Sequence, residues 1–263
     1  MDRTRGLALS IGATLLLAVL LSALTAAGGN AQANPSLARL EIDIWPEFDR
    51  PAALVILRGE IAPDVTLPAP VSLRIPTSSG GPAAVASAAA ADAPLLTVPY
   101  ERSEVQVDFM TLTFEAPNRF FQLEFYDPLK TDGTSRSYRY IWTGDLPVGL
   151  VSVQVQQPAS ATELSVQPQL GDGVAGPYGL VYREADLGAL DEGKSLTVDV
   201  AYQKPDSRTS AEILGLATAT DESPGSADSD GGIPRWLIGG ALMGAAVVVA
   251  VGFVFWRRRT TRR

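Results

Sequence analysis

Residues 236–256 (Trp-Leu-Ile-Gly-Gly-Ala-Leu-Met-Gly-Ala-Ala-Val-Val-Val-Ala-Val-Gly-Phe-Val-Phe-Trp) contain no charged residue and no proline. As a helix rising ~1.5 Å per residue they span roughly 30 Å, the hydrocarbon thickness of a bilayer. Trp236 and Trp256 bracket the run, where interfacial aromatics sit. Arg257, Arg258 and Arg259 follow at once, with Arg262 and Arg263 beyond them. This predicts a transmembrane helix over 233–256, a stop-transfer signal at the arginines, and a basic cytoplasmic tail over 257–263.

The other end of the chain carries the matching export signal. Met1 to Arg5 is short and basic, and Leu7 to Leu24 is apolar apart from Ser10, Gly12, Thr14 and Ser22. Small residues follow. The form is that of a secretory signal peptide over 1–33, cleaved after Ala33 or alternatively after Ala27. An uncleaved anchor is the other reading, because the run is long for a signal core. All three readings put the body outside the cytoplasm and the C-terminus inside; with the leader cleaved the chain makes a single pass through the cell membrane.

Composition narrows what the body can do. Net charge is -8, but residues 34–232 hold 13 Lys and Arg against 28 Asp and Glu. So acidic a surface repels phosphates, which excludes a nucleic-acid partner. The chain has no Cys and no His. Disulfides, thiolate nucleophiles and imidazole bases are therefore unavailable, and the usual zinc, haem and copper ligand sets cannot be assembled. No G-x-S-x-G elbow, phosphate loop or S-x-x-K pair occurs. The expectation is a non-enzyme with no cofactor and no metal.

Between the two apolar ends the hydrophobic period is two. Leu40, Ile42 and Ile44 alternate with Arg39, Glu41 and Asp43, and Val151, Val153 and Val155 alternate with Ser152, Gln154 and Gln156. Similar runs recur at Val71–Ile75, Phe121–Phe125, Tyr138–Trp142 and Leu196–Tyr202, while Ala53–Leu57 is continuously apolar. Val105 to Phe114 reads as one long strand with a bulge near Met110. The alanine-rich stretch 83–93 is fenced by prolines and reads as a weak edge strand or loop. Many short strands separated by Pro, Gly and Asp turns predict an all-β sandwich. A faint repeat lays Glu41-Ile-Asp-Ile-Trp-Pro on Gln122-Leu-Glu-Phe-Tyr-Asp, and Val71-Ser-Leu-Arg-Ile on Val151-Ser-Val-Gln-Val. It predicts two tandem modules, 34–117 and 118–205, with one larger sandwich as the alternative. Residues 206–232 turn to Ser, Thr, Ala, Gly, Asp and Glu and read as a flexible acidic stalk, with a short helical turn or last strand at Ala211–Leu216.

Three constellations invite a functional reading. Carboxylates cluster at Asp43, Glu47 and Asp49, at Asp127 and Asp132, and at Asp228 and Asp230. Calcium needs several oxygens converging on one ion, and solvated turns or linker account for these groups more simply. Tyr138, Tyr140 and Trp142 share one strand face and form either a stacking platform for a sugar or part of the core. Gly240 and Gly244 form a G-x-x-x-G in the anchor, the small-residue pattern through which two helices pair into a homodimer.

The layout of signal peptide, acidic β body, polar stalk, single helix and basic tail resembles bacterial membrane-anchored proteins with immunoglobulin-like or fibronectin-III-like ectodomains. The Cys…Trp…Cys core of true immunoglobulin domains is absent. The resemblance implies a non-catalytic ectodomain that binds a protein partner or serves as an accessory subunit of an envelope complex. The alternative is a carbohydrate or cell-wall binding module using exposed aromatics.

Overall fold

The computed structural model describes residues 35–104 and 108–216. The leader, the stalk beyond residue 216, the anchor with Trp236, Gly240, Gly244 and Trp256, and the tail arginines Arg257, Arg258 and Arg259 lie outside the described residues. No helix among the described residues is long and apolar enough to cross a membrane.

The chain forms β1 (Leu37–Pro46), β2 (Ala52–Ile61), β3 (Ala69–Pro76), β4 (Ala84–Ala88), β5 (Leu96–Thr97), β6 (Tyr100–Glu104), β7 (Phe109–Ala116) and β8 (Phe120–Pro128). It continues with β9 (Lys130–Asp132), β10 (Ser135–Trp142), β11 (Val148–Gln156), β12 (Thr162–Gln167), β13 (Val174–Ala175), β14 (Val181–Leu190) and β15 (Leu196–Gln203), then one short helix, α1 (Ser210–Leu214). A large sheet runs β13-β14-β11-β1-β2-β8-β4-β5. Two smaller sheets run β12-β15-β10-β9 and β3-β7-β6. The fold is an all-β sandwich, as the alternating runs predict.

The period of two sorts side chains between layers. Leu40, Ile42, Ile44, Val55, Leu57, Leu123, Phe125, Val153 and Val155 of the large sheet join Val71, Leu73, Ile75, Leu112, Phe114, Tyr140, Trp142, Val198 and Val200 of the small sheets in one buried cluster. Each such side chain, removed fully from water, contributes about 1.5–3 kcal/mol. The two small sheets meet at Arg74 and Asp145. The Arg74 amide donates to Asp145 Oδ2 at 2.8 Å, its Nε to Oδ1 at 2.5 Å, and its Nη2 to the Thr143 carbonyl at 3.1 Å. These bonds cover the open edge of β3.

Four expectations need correction. The boundary at 117/118 does not separate two sandwiches: β1 pairs in parallel with β11, β2 pairs with β8, and one core holds residues from both halves. Of the repeat, β1 and β8 both lie in the large sheet, but β3 and β11 lie in different sheets. Alternation sets which face a residue takes and carries no information on which strand it pairs with. Of the long strand expected over 105–114, residues 105–107 lie outside the described residues; β7 pairs antiparallel with β6, Glu104 opposite Met110, and with β3 without the register shift expected near Met110. Residues 206–216 are not stalk but part of the body. There Thr209 caps α1 by accepting from the Glu212 amide, while Glu212 accepts from the Thr209 amide at 2.6 Å. This is the reciprocal capping box, spelled Thr-Ser-Ala-Glu in the sequence.

β1 runs from Leu37, next to the Pro35 end of the sandwich, to Pro46, next to Glu47 at the other, about 33 Å for its ten residues. The chain leaves β15 at the Glu47 end, so the two ends of the described body sit at opposite poles.

Candidate functional site

The aromatic strand face is settled by burial. Tyr138 is 5 % exposed, and Tyr140 and Trp142 are fully buried. Tyr140 packs on Phe125 at 6.3 Å between ring centroids. Burial raises the Tyr140 hydroxyl far above its ordinary value. These rings are core, so the stacking platform is withdrawn, and with it the aromatic support for a carbohydrate module. Leu and Trp occupy one face of a strand for the same reason, removal of apolar area from water, so the sequence pattern alone could not separate platform from core.

The carboxylate clusters disperse. Asp43 pairs with Arg58, Glu47 lies near Arg136 and Lys204, and Asp49 accepts from the Tyr126 hydroxyl at 2.8 Å. Asp127 accepts from Ser78 Oγ at 2.5 Å, and burial raises its carboxyl against that bond. Asp132 sits exposed on β9. Asp228 and Asp230 lie outside the described residues. Among the described residues no group of three or more Asp or Glu is placed to hold a metal ion.

Two polar features replace them. The first is a clasp on the C-terminal segment. Lys204, fully buried, donates from Nζ to the carbonyls of Asp206 at 2.9 Å and Arg208 at 2.6 Å, and lies 3.9 Å from Glu47 Oε1. Glu47 also lies 3.6 Å from Arg136 Nε and accepts from the Tyr202 hydroxyl at 2.7 Å. Its backbone takes a positive φ of 45°, and the Glu47 and Phe48 carbonyls accept from the amides of Ser210 and Ala211. What little burial Asp206 has raises its carboxyl, but hydrogen bonds from Ser160, the Arg208 amide and Lys204 bring it down to about 2. Leu214 and Leu216 then pack on Trp45, Phe48, Leu54, Ile56, Leu180 and Tyr182, a small apolar cluster on the outer face of the large sheet.

The second feature is the rest of that outer face. Because Leu40, Ile42, Leu57, Leu123 and Val153 point to the core, their neighbours Glu41, Asp43, Arg58, Gln122, Glu124, Ser152 and Gln154 share the opposite side. Six of these are nearly buried: Glu41 9 %, Asp43 5 %, Gln122 5 %, Glu124 4 %, Ser152 3 % and Gln154 5 % exposed. Arg58 Nε donates to Gln122 Oε1 at 3.1 Å, Gln122 donates to Glu124, and Gln154 donates to Glu184 at 3.1 Å. Burial works against the Arg58 guanidinium, but Asp43 and Glu41 outweigh it and hold its pKa raised. Burial raises Glu124 more than its bond to Gln122 and the charge of Arg58 lower it.

No protein-family model matches the chain, and no curated protein matches its sequence. The site therefore has to be read from its own chemistry. Along the β12-β15-β10-β9 sheet two grooves of about 340 and 500 Å³ share Lys130 and Ser137, and the larger also has Arg139 and Asp199 in its lining. Arg139 there binds Asp199 directly across the strands at 2.6 and 3.2 Å, so the principal charges of the larger groove satisfy each other. The outer face of the large sheet is different: it buries carboxylates in excess of cations. In the sequence Glu41 and Asp43 show only as the polar side of β1, and neither Arg58, Glu124 nor Lys204 stands out as a site residue. Polar alternation with Ile42 and Ile44 was the available signal for the face, whereas nothing local marks Lys204, whose partners are set by tertiary contacts.

Proposed function

We propose that this chain is a non-catalytic, single-pass membrane protein whose β-sandwich stands outside the cytoplasm and binds a protein partner, as an accessory subunit of an envelope complex. The observation that carries this reading is the opposite-pole arrangement together with the clasp. An exported body tethered at its C-terminus needs its last structured segment fastened to the fold, and Lys204, Glu47 and α1 fasten it. With the apolar run 236–256 and Arg257–Arg259 following, the Glu47 pole faces the bilayer and the pole bearing Pro35 and the loops 62–68, 117–119 and 191–195 faces away. An immunoglobulin-like descent and pairing of anchors through Gly240 and Gly244 belong to the same proposal.

The chain lacks cysteine, so single introduced cysteines report topology without background. Thr131→Cys is expected to react with a membrane-impermeant maleimide from outside intact cells, and Thr261→Cys only after the membrane is opened. Labelling of both from the same side sinks the topology. Gentle detergent extraction and affinity capture are expected to co-purify a stoichiometric protein; recovery of the chain alone counts against the accessory-subunit role.

A further inference from the structure

We propose that the tip of the β13–β14 hairpin, Val174 with Pro177, Tyr178 and Gly179, is a lipid-contact site that enters the interfacial layer of the bilayer and holds the Glu47 pole against it. This contact rests on the anchored ectodomain proposed above and adds a second point of attachment to the same membrane.

Register fixes where the tip lies. β11 runs parallel to β1 with Val155 opposite Ile44, so Gln157 stands level with Pro46 at the Glu47 pole. The Gln157 amide donates to the Val181 carbonyl at 2.8 Å and Gln156 pairs with Tyr182, so β14 begins at that pole and the hairpin turns beyond it. The turn is closed tightly: the Gly176 amide donates to the Leu180 carbonyl at 2.8 Å, and the Leu180 amide to the Pro177 carbonyl at 3.2 Å. Leu180 and Tyr182 belong to the apolar cluster on which Leu214 and Leu216 pack, so the tip neighbours the point from which the chain heads for the anchor. Residues 217–235 join Leu216 to Trp236, and a coil of that length spans about 25 Å. That is less than the length of β1, about 33 Å, so the anchor keeps this pole within reach of lipid and not the opposite one.

The side chains at the tip suit that place. Val174 is 58 % and Tyr178 48 % exposed. The other exposed large hydrophobics among the described residues, Leu96 and Tyr100, pair with Ser87 and Phe114, nearer the opposite pole. Exposure at the Glu47 pole does not by itself select apolar residues, because the β9–β10 tip there reads Asp132-Gly133-Thr134. Backbone conformation gives an independent sign. Tyr178 is held at a positive φ of 58°, a conformation that glycine adopts freely and a bulky side chain only under strain. A turn that only reversed the chain would carry glycine there, as it does at Gly179. Strain kept for an exposed ring is the mark of a contact residue, and tyrosine favours the headgroup level, its ring dry and its hydroxyl wet. Charge adds little. Arg50 stacks on Tyr126 at 4.5 Å, Arg208 pairs with Asp206 at 3.6 Å, Arg183 donates to the Gly171 carbonyl at 3.4 Å, and Asp172 is an exposed acid. The contact is therefore with the apolar edge of the headgroup layer rather than with phosphate.

The test uses the full-length protein reconstituted into phosphatidylcholine vesicles. Because the chain has no cysteine, Ala175→Cys carries a single environment-sensitive fluorophore beside the tip, and Glu192→Cys carries one at the opposite pole. With a nitroxide-labelled phosphatidylcholine as quencher, emission from position 175 is expected to fall about twofold and that from position 192 to stay unchanged. Val174→Ser/Tyr178→Ser is expected to remove most of the quenching, and Tyr178→Trp to keep it. Raising salt from about 50 mM to about 500 mM is expected to leave it unchanged. Lack of quenching at 175, equal quenching at 192, indifference to the double serine variant, loss in the tryptophan variant or loss at high salt each overturns the inference. So does a fluorophore that is blue-shifted but unquenched, the result if a second copy or residues 217–235 cover the tip. Vesicle flotation separates the two levels: a chain that floats but is not quenched at 175 keeps its anchor and loses this contact, and a chain that does not float loses both.

Discussion

Lys204→Met is the most informative single change. Methionine keeps the unbranched stem and removes only the ammonium, which is fully buried and bound to two backbone carbonyls and Asp206 Oδ1. Glu47 loses one of its two nearby cations and stays 4 % exposed. Removing one member of a buried pair costs about 3–5 kcal/mol, since the other charge remains without compensation. For a body of this size that corresponds to a loss of roughly 6–20 °C in Tm. Full-length protein in detergent micelles, followed through the fluorescence of Trp45 beside Phe48, gives the global value. Hydrogen exchange at the Ser210 and Ala211 amides, bonded to the Glu47 and Phe48 carbonyls, reports the clasp itself. In Lys204→Met/Glu47→Gln the total loss should be smaller than the sum of the single losses by at least about 1 kcal/mol, because the stranded charge is gone. A single variant within 1 kcal/mol of wild type, with both amides still protected, refutes the view that this ion cluster holds the C-terminal segment.

Three further outcomes follow from packing and charge. A Cβ on Gly59 would overlap the tip of the Phe121 ring, so Gly59→Ala should cost about 2–3 kcal/mol in urea unfolding, with much of it restored by Phe121→Leu. Arg74→Ala leaves Asp145 buried at the junction of the small sheets and should lower stability by about 2 kcal/mol, the partial exposure of Arg74 moderating the loss. Glu124 holds its proton to higher pH in the fold than in the unfolded chain, where it titrates near 4.5, so its charged form opposes folding as pH rises through that value and the folded one. Glu124→Gln should therefore raise Tm at pH 7 and make no difference below pH 4.5; an equal gain at both pH values would remove ionisation as the cause.

Much of the sandwich was legible because burial imposes a local pattern. Leu40, Ile42 and Ile44 announce a strand with one wet and one dry side, and the dry side is indeed core. The alanine-rich stretch 83–93, expected as a weak edge strand or loop, is a strand over Ala84–Ala88 that lies between β8 and β5 rather than at an edge. In β14 the residues Glu184, Asp186 and Gly188 dilute the alternation, so its ten residues carry a weak local signal. The capping box Thr209…Glu212 was present in the sequence and was obscured by the Ser- and Asp-rich composition around it. The candidate site was only half legible. Glu41 and Asp43 were visible as the polar side of β1, but their burial, and the company of Glu124 and Glu184 from strands more than 80 and 140 residues away, were not.

The sequence by itself determined the class of fold, the chemistries barred by the lack of Cys and His, and the expectation of an anchored, exported body, because hydrophobic period, residue inventory and apolar length are properties of short stretches. Only the tertiary structure decided that the two halves share one sheet, that Tyr138, Tyr140 and Trp142 are core, and that Lys204 fastens the C-terminal segment. It also decided that the polar sides of five strands converge into one acidic face. Strand order and long-range ion pairs arise from which surfaces meet after collapse, and the energy that selects among those meetings is spread over contacts that no local window contains.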